Sequence, residues 1–138
     1  MIIGHTSLKV NYCDTDQMGY VHHSNYIRYY EKARMELLTA IGVPYKEIEN
    51  AGFFLVVIKA ESFYKKPAYF DDCLLVETRL ENTTGLRQVF TYKIFNSSAE
   101  LIHEGATTLA FVDKDSRKPC RPPHFFQQAV QEADAKTH

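Results

Sequence analysis

Two carboxylates and two imidazoles lie close together near the start of this chain, at Asp14, Asp16, His22 and His23. A carboxylate in such a loop can attack an electrophile or activate water as a general base. The loop runs directly into a helical pattern, and the free N–H groups at a helix N-terminus favour negative charge. The sequence therefore predicts a reactive carboxylate beside a preformed oxyanion site.

The helix that must position this loop has the strongest periodicity in the chain. Apolar and aromatic residues recur at helical spacing and predict a helix over 25–41: Tyr26, Tyr30, Ala33, Leu37 and Ile41. Ser24 suits the N-cap, and Gly42 followed by Pro44 suits the end of the helix. On its flank, Glu31 and Arg34 have the spacing of an ion pair.

Each loop residue has an ordinary structural role as an alternative. Asp16 is either the reactive carboxylate or a turn residue before the helix. Gly19 either lets the backbone approach a ligand or simply completes a turn. Asp14 is better suited to organising the loop through bonds to backbone N–H groups. His23 lies nearer the helix start than His22, so it is the better candidate to orient a ligand or water.

A metal site is the weaker interpretation of this cluster. Neighbouring residues of an extended segment point to opposite sides, and adjacent histidines lack the i, i+4 spacing that places two ligands on one helix face. We therefore expect no bound metal. Ser24 has no nucleophile elbow around it, and the chain has no phosphate-binding glycine loop or Rossmann fingerprint.

The rest of the chain reads mainly as strands. Alternation predicts strands over 7–13, 53–65, 73–83, 87–96 and 101–112, a short helix over 44–50 and a short exposed helix over 125–135. Four consecutive strands with short turns imply an antiparallel meander, and one long helix would cover it as an α+β fold. The other sheet face would be buried in an oligomer.

Length and composition limit the classes of protein. The 138 residues predict a single domain over 1–138. A net charge of −1 gives no global field for nucleic acid or an anionic membrane surface. The three cysteines are well separated and odd in number, which indicates a reducing compartment. With no signal-peptide pattern and no apolar span, we expect a cytoplasmic protein.

Two small basic clusters offer a further binding function. Lys65 and Lys66 form one, and Arg117, Lys118 and Arg121 form the other. Each is either solvated surface or a site for the phosphates of a carrier such as coenzyme A.

The loop and helix together carry a family resemblance. The chain resembles the hotdog-fold acyl-CoA thioesterases of the 4-hydroxybenzoyl-CoA thioesterase type, and among them the subgroup that includes the Tol-Pal-associated thioesterases. The matching pattern is Tyr12-x-Asp14-Thr15-Asp16-x-x-Gly19-x-Val21-x-His23-x-Asn25-Tyr26, then Tyr30-Glu31-x-Ala33-Arg34-x-Glu36, and later Lys66-Pro67-Ala68-x-x-x-Asp71.

The resemblance implies an antiparallel sheet wrapped around one long central helix, paired into a homodimer or homotetramer. It implies an enzyme that hydrolyses a small or medium acyl-CoA without a cofactor. Asp16 would be nucleophile or general base, and the helix start at His23 would polarise the thioester carbonyl. The expected substrate-binding residues are Gly19, Val21, Asn25, Tyr26, Lys65 and Lys66. His22 and Tyr20 stand where the subgroup often has Tyr and Val, beside the acyl pocket, and bear on substrate identity.

Two other functions remain as alternatives on such a fold. One is a dehydratase of hydroxyacyl carriers, which the lack of an FPG-type motif disfavours. The other is a non-catalytic module that binds acyl-CoA or a protein. A hydrolysis assay on a panel of acyl-CoA substrates separates all three.

Overall fold

The described part of the chain folds as one five-stranded antiparallel sheet with one long and two shorter α-helices. The computed structural model describes residues 1–82 and 85–136. The elements are β1 (Ile2–Lys9), α1 (Ser24–Ala40), α2 (Tyr45–Asn50), β2 (Phe53–Tyr64), β3 (Cys73–Asn82), β4 (Arg87–Phe95), β5 (Leu101–Asp113) and α3 (His124–Lys136). The predicted α+β class is confirmed.

The sheet has the strand order β1-β3-β4-β5-β2. Strands β3, β4 and β5 pair with their chain neighbours, as a meander does. The prediction that β2 also belongs to that meander is wrong, because β2 pairs with β5 at the far edge. Residues 65–72 cross the end of the sheet, where Val21 N–H donates to the Ala68 carbonyl and Asp71 N–H to the Val10 carbonyl. The segment ends in a tight turn at Asp71 and Asp72, as predicted, in which Asp72 N–H donates to the Tyr69 carbonyl over 3.1 Å.

The sheet curls around α1, whose apolar side is buried. Tyr30 and Leu38 are fully buried, and Ala33 and Leu37 are almost so. Alternate residues of the central strands cover this helix from the sheet side, including Phe90 and Ile94 of β4. Burying a large apolar side chain is worth about 1.5–3 kcal/mol relative to exposure, so each of these positions stabilises the packing of α1 on the sheet.

Three local predictions differ from the structure. Strand β1 starts at Ile2 and ends at Lys9, rather than spanning 7–13, because two of its inward positions hold Gly4 and Thr6 and hide the alternation. Residues 12–14 form a turn of 3₁₀ helix instead. Ser24 is the first residue of α1, and the N-cap position belongs to His23.

Two tertiary predictions also differ. The predicted ion pair of Arg34 with Glu31 does not form: Arg34 is buried and its Nη1 donates to the Tyr92 hydroxyl over 3.1 Å. The predicted exposed tail helix is a packed element, because Phe126 and Val130 of α3 are buried. The Phe126 ring lies 4.8 Å from the Phe111 ring, centroid to centroid, and closes the end of the core.

Other predicted boundaries agree closely. Helix α1 lies within a residue of its predicted range, and β3, β4 and β5 match theirs, apart from Thr83, which falls outside the described residues. The thiols of Cys13, Cys73 and Cys120 are free. No helix in the described ranges is both long and apolar enough to cross a membrane.

Candidate active site

Asp14 organises the loop between β1 and α1, as predicted. Its buried carboxylate accepts the Asn11 N–H over 3.0 Å and the Tyr29 hydroxyl over 3.0 Å. Its carbonyl accepts the His22 N–H and the Asn25 side-chain amide, both over 2.8 Å. Burial, reinforced by the hydrogen bond to Asp14, raises the pKa of the Tyr29 hydroxyl. The Tyr29 hydroxyl therefore stays a hydrogen-bond donor and ties the loop to the helix.

Asp16 sits at the tip of this loop, exposed to solvent. Its Oδ1 accepts the Met18 N–H over 2.9 Å and the Tyr20 N–H over 3.3 Å. Gly19 has a φ of 82°, a left-handed conformation that suits glycine and lets the chain reverse at this point. Within the described ranges, Oδ2 of Asp16 forms no hydrogen bond. One oxygen is thus held in place, and the other is open to a ligand.

The start of α1 presents an open N–H beside this carboxylate. The N–H groups of Asn25 and Tyr26 are bonded to the carbonyls of His22 and His23. The Ser24 N–H donates to Nδ1 of His22 over 3.2 Å, and the Ser24 hydroxyl lies 2.8 Å from the same nitrogen. The His22 ring therefore caps the helix, a role that the sequence pattern did not indicate. In the described structure the His23 N–H has no acceptor.

A cleft of about 340 Å³ brings these groups together. It is lined by Asp16, Tyr20, Val21, His23, Tyr26, Tyr64, Lys65, Lys66 and Pro67. Most of the predicted site residues are therefore neighbours in space, although Lys65 and Lys66 are far from Asp16 in sequence. Gly19 and Asn25 do not line the cleft: Gly19 shapes the turn behind Asp16, and Asn25 is buried against the loop.

An aromatic stack that sequence reasoning missed supports the wall of the cleft. The Tyr26 ring lies parallel to the imidazole of His103, with centroids 4.0 Å apart, and edge-on to the Tyr64 ring at 5.4 Å. Nε2 of His103 contacts the Tyr30 hydroxyl, which also lies 2.6 Å from the Ser62 hydroxyl. Burial lowers the pKa of His103 to about 4, so its ring is neutral at physiological pH. The only sequence signal was a histidine in a strand.

Size alone does not identify the site. A larger cleft of about 490 Å³ lies where the end of α1 meets α2 and α3, and its ionisable side chains are Glu47 and Glu132. None of its lining residues comes from the loop between β1 and α1. The smaller cleft combines the exposed Asp16 carboxylate with the start of α1, an arrangement that suits general acid–base or nucleophilic chemistry on a carbonyl.

The two basic clusters occupy different places. Lys65 and Lys66 line the cleft itself. Arg121 lies with Arg87 in a separate cleft of about 460 Å³ beside Ile58 and Leu86, and Arg117 lies over the Phe54 ring at 5.2 Å. Among the described residues, no three His, Cys, Asp or Glu side chains are grouped to hold a metal ion. That activity needs no metal stays a prediction.

Comparison with known proteins agrees with this geometry. Residues 10–130 match the family model described as the thioesterase-like superfamily. The chain is 34% identical over 119 residues to the putative acyl-CoA thioesterase YneP of Bacillus subtilis (strain 168), covering 86% of each chain. It is 33% identical over 112 residues to the acyl-CoA thioester hydrolase YbgC of Escherichia coli O6:H1, covering 81% of this chain and 84% of that one.

Solved structures give the same result. A DHNA-CoA thioesterase from Staphylococcus aureus superposes with a TM-score of 0.90 at 33% identity, covering 99% of this chain and 91% of that one. The coverage includes the loop, α1 and the whole sheet. The chain therefore belongs to the thioesterase-like superfamily, as an acyl-CoA thioester hydrolase with a hotdog fold.

Proposed function

We propose that the cleft at Asp16 hydrolyses a small or medium acyl-CoA, with Asp16 as nucleophile or general base and the His23 N–H as oxyanion donor. One observation carries the proposal: an exposed carboxylate with an open Oδ2 and the vacant N–H of a helix start belong to residues of one cleft. The Oδ1 bonds to Met18 and Tyr20 fix the carboxylate in that position.

The chemistry suits a thioester. Its leaving thiol has a pKa of about 8.5, so the group departs as thiolate with little help from an acid. The barrier then lies mainly in forming the tetrahedral adduct, in which the carbonyl oxygen becomes negative. One well-placed N–H donor stabilises that oxygen by roughly 3 kcal/mol, and the dipole of α1 adds to it. Asp16 either adds to the carbonyl as an anhydride-forming nucleophile or takes a proton from the attacking water.

The walls of the cleft suggest which acyl groups fit. In the single chain a volume of about 340 Å³ lies at the low end for small-molecule sites, which favours a small acyl group over a long chain lying fully inside. Tyr26 and Tyr64 both line the cleft and pack edge to face, and aromatic rings pair favourably with a flat aromatic group. The similar Staphylococcus aureus enzyme is described as acting on DHNA-CoA. We therefore place aromatic and short aliphatic acyl groups ahead of long aliphatic ones.

Lys65 and Lys66 are proposed to meet the phosphates of the CoA. Their backbone N–H groups both donate to the Ile102 carbonyl, which fixes the chain at the mouth of the cleft. Cationic side chains held there would face the end of a substrate whose thioester lies at Asp16. The acyl group would then point towards Tyr26 and Val21.

A second copy of the chain is proposed to complete the site, in a homodimer or homotetramer. Large apolar side chains are exposed around the loop and beside the cleft, including Tyr12, Met18, Phe63, Tyr69 and Phe70. Strand β2 is an edge strand whose residues from Val56 onward are mostly exposed. Exposed apolar patches and unpaired edges of this kind are typical of association surfaces.

The central test is Asp16→Asn. Asparagine keeps an oxygen for the Met18 and Tyr20 N–H groups, so the loop should keep its shape while the charge is lost. We expect release of thiol from acyl-CoA to fall by at least about 10²-fold, the usual contribution of a base or nucleophile. A panel of acetyl-, butyryl-, hexanoyl-, benzoyl- and palmitoyl-CoA also tests the size and shape of the acyl group.

Asp113→Asn is the matched control. Asp113 Oδ1 accepts two backbone N–H groups, from Asp115 over 3.0 Å and Ser116 over 2.9 Å, in a turn after β5. It therefore repeats the local arrangement of Asp16 outside the cleft, and its variant should hydrolyse at the wild-type rate. Wild-type turnover in Asp16→Asn would refute the assignment. A wild-type protein that binds acyl-CoA but releases no thiol would indicate the binding module instead.

A further inference from the structure

The two lysines of the cleft are already paired with carboxylates of the neighbouring strand and turn. Nζ of Lys66 contacts Oε2 of Glu100, and Nζ of Lys65 lies 3.4 Å from Oε2 of Glu104. All four side chains are between about a third and just over half exposed. Glu100 is held further by the Asn96 amide, which donates to its Oε1 over 3.1 Å. The mouth of the cleft thus has two ion pairs and no net positive charge from these four groups.

We propose that Glu100 and Glu104 weaken the binding of the phosphate end of coenzyme A by competing with it for Lys66 and Lys65. This inference rests on the proposed placement of the phosphates at these lysines. A phosphate that binds there must take each lysine from a carboxylate that is already within ion-pair distance. The glutamates are therefore determinants of affinity, although neither reaches the thioester.

The lysine–glutamate ion pairs are weak enough for the phosphates of CoA to displace them. An exposed lysine–carboxylate pair contributes little net free energy, so a multiply charged phosphate group can displace it. The same modest size predicts a measurable gain when a competitor is removed. Each glutamate that becomes glutamine should tighten CoA binding by about two- to fivefold. The gain should shrink as salt is added, because ions screen exposed charges beyond about 8–10 Å.

The consequence for the enzyme is faster release of product. Free CoA carries the same phosphates as the substrate, so lysines without competitors would retain it after the acyl group has left. Two glutamates at the mouth lower the affinity for substrate and product alike. Because binding is weakened equally in the ground state and the transition state, KM rises while the rate of the chemical step is unchanged.

The experiment measures equilibrium binding of CoA and of pantetheine, which lacks the phosphates, to the full chain by calorimetry. Glu100→Gln and Glu104→Gln are each compared with wild type at low salt. We expect CoA to bind about two- to fivefold more tightly to each variant, and pantetheine to bind equally to all three proteins. Because the assay needs no turnover, it succeeds or fails independently of the Asp16→Asn test.

Glu61→Gln is the matched control. Glu61 pairs with Lys59 over 2.8 Å on the same strand, β2, and neither residue lines the cleft. This variant should bind CoA as wild type does. Unchanged CoA affinity in Glu100→Gln and Glu104→Gln would overturn the proposal. An equal gain in Glu61→Gln, or an equal gain for pantetheine, would overturn it too, because the effect would then not arise from phosphates at the cleft.

Discussion

Replacing Gly105 of β5 by alanine adds one methyl group, and we expect it to destabilise the fold. A Cβ added there would overlap the hydroxyl oxygen and Cζ of Tyr30 and lie 2.8 Å from its Cε1. Tyr30 is fully buried, and its hydroxyl contacts both Ser62 and His103. The ring would have to retreat by about 1 Å or more to restore ordinary contact distances.

The cost follows from those contacts. Overpacking a rigid core costs about 1–3 kcal/mol, and the two hydrogen bonds of Tyr30 are worth about 1 kcal/mol each. In the opposite direction, replacing a strand glycine by alanine stabilises the fold by about 0.5–1 kcal/mol, because the unfolded chain loses conformational freedom. We therefore expect Gly105→Ala to lower the free energy of unfolding by about 3 kcal/mol, which for a chain of this size lowers Tm by about 10 °C.

Gly4→Ala is the matched control for this prediction. Gly4 also lies in a strand, and its added Cβ would come within 2.8 Å only of Cδ1 of Leu37, the tip of a flexible side chain. Its cost should stay below about 1 kcal/mol. Chemical denaturation of both variants, and of Gly105→Ala combined with Tyr30→Ala, measures the effect. Equal costs at the two glycines, or additive costs in the double variant, would show that the Tyr30 contact is not the cause.

Three further expectations concern metal, pH and assembly. Thioester hydrolysis should survive exhaustive chelation, and loss of activity that one added divalent metal restores would replace the Asp16 mechanism. The pKa of His103 is about 4 in the fold against 6.5 for an ordinary histidine, so the unfolded chain takes up the proton first. Burial of the neutral His103 ring therefore does not disfavour the fold above pH 6.5, whereas the free energy of unfolding decreases as the pH falls from 6.5 towards 4. Between pH 6.5 and 4 the free energy of unfolding of His103→Phe should depend less on pH than that of the wild type. An equal pH dependence in the two proteins would contradict the low pKa of His103. Sedimentation at micromolar concentration should give a dimer or tetramer, whereas a monomer would contradict the shared site.

Local patterns predicted the elements of this fold better than their arrangement. Helix α1 and strands β3 to β5 were found because long stretches keep one period without interruption. The predicted start of strand β1 was too late in the chain, because the inward positions of Gly4 and Thr6 have no apolar side chain to mark the alternation. The pairing of β2 with β5 was missed, because strand order depends on where the connecting segment 65–72 crosses, which no local period records.

The candidate site was also predicted only where its residues are close together in sequence. Asp14, Asp16 and His23 lie in one short motif, so their proximity follows from sequence. The His103 imidazole beneath Tyr26 is a single residue in an alternating strand, and only the fold reveals its neighbours. The pairing of Lys65 with Glu104 likewise depends on strand register. Membership of the Tol-Pal-associated subgroup and a cytoplasmic location stay predictions.

The strand order has a consequence for how the molecule acquires its activity. Strands β3, β4 and β5 are joined by short connections, whereas β1 pairs Ile2 with Leu80 and β2 pairs Phe53 with Asp113. Closing a long stretch of chain costs more entropy, and non-local pairing slows folding. We expect the three central strands to associate first and the two edge strands to dock last, an order that pulsed hydrogen exchange reports directly.

The cleft takes its two sides from segments that follow those late strands. Asp16 and His23 lie in the chain after β1, and Lys65 and Lys66 come directly after β2. A nascent or partly folded chain that has formed the central hairpins therefore has no place to bind acyl-CoA. Catalytic competence appears only with the final docking step, so recovered activity is a stringent measure of complete refolding.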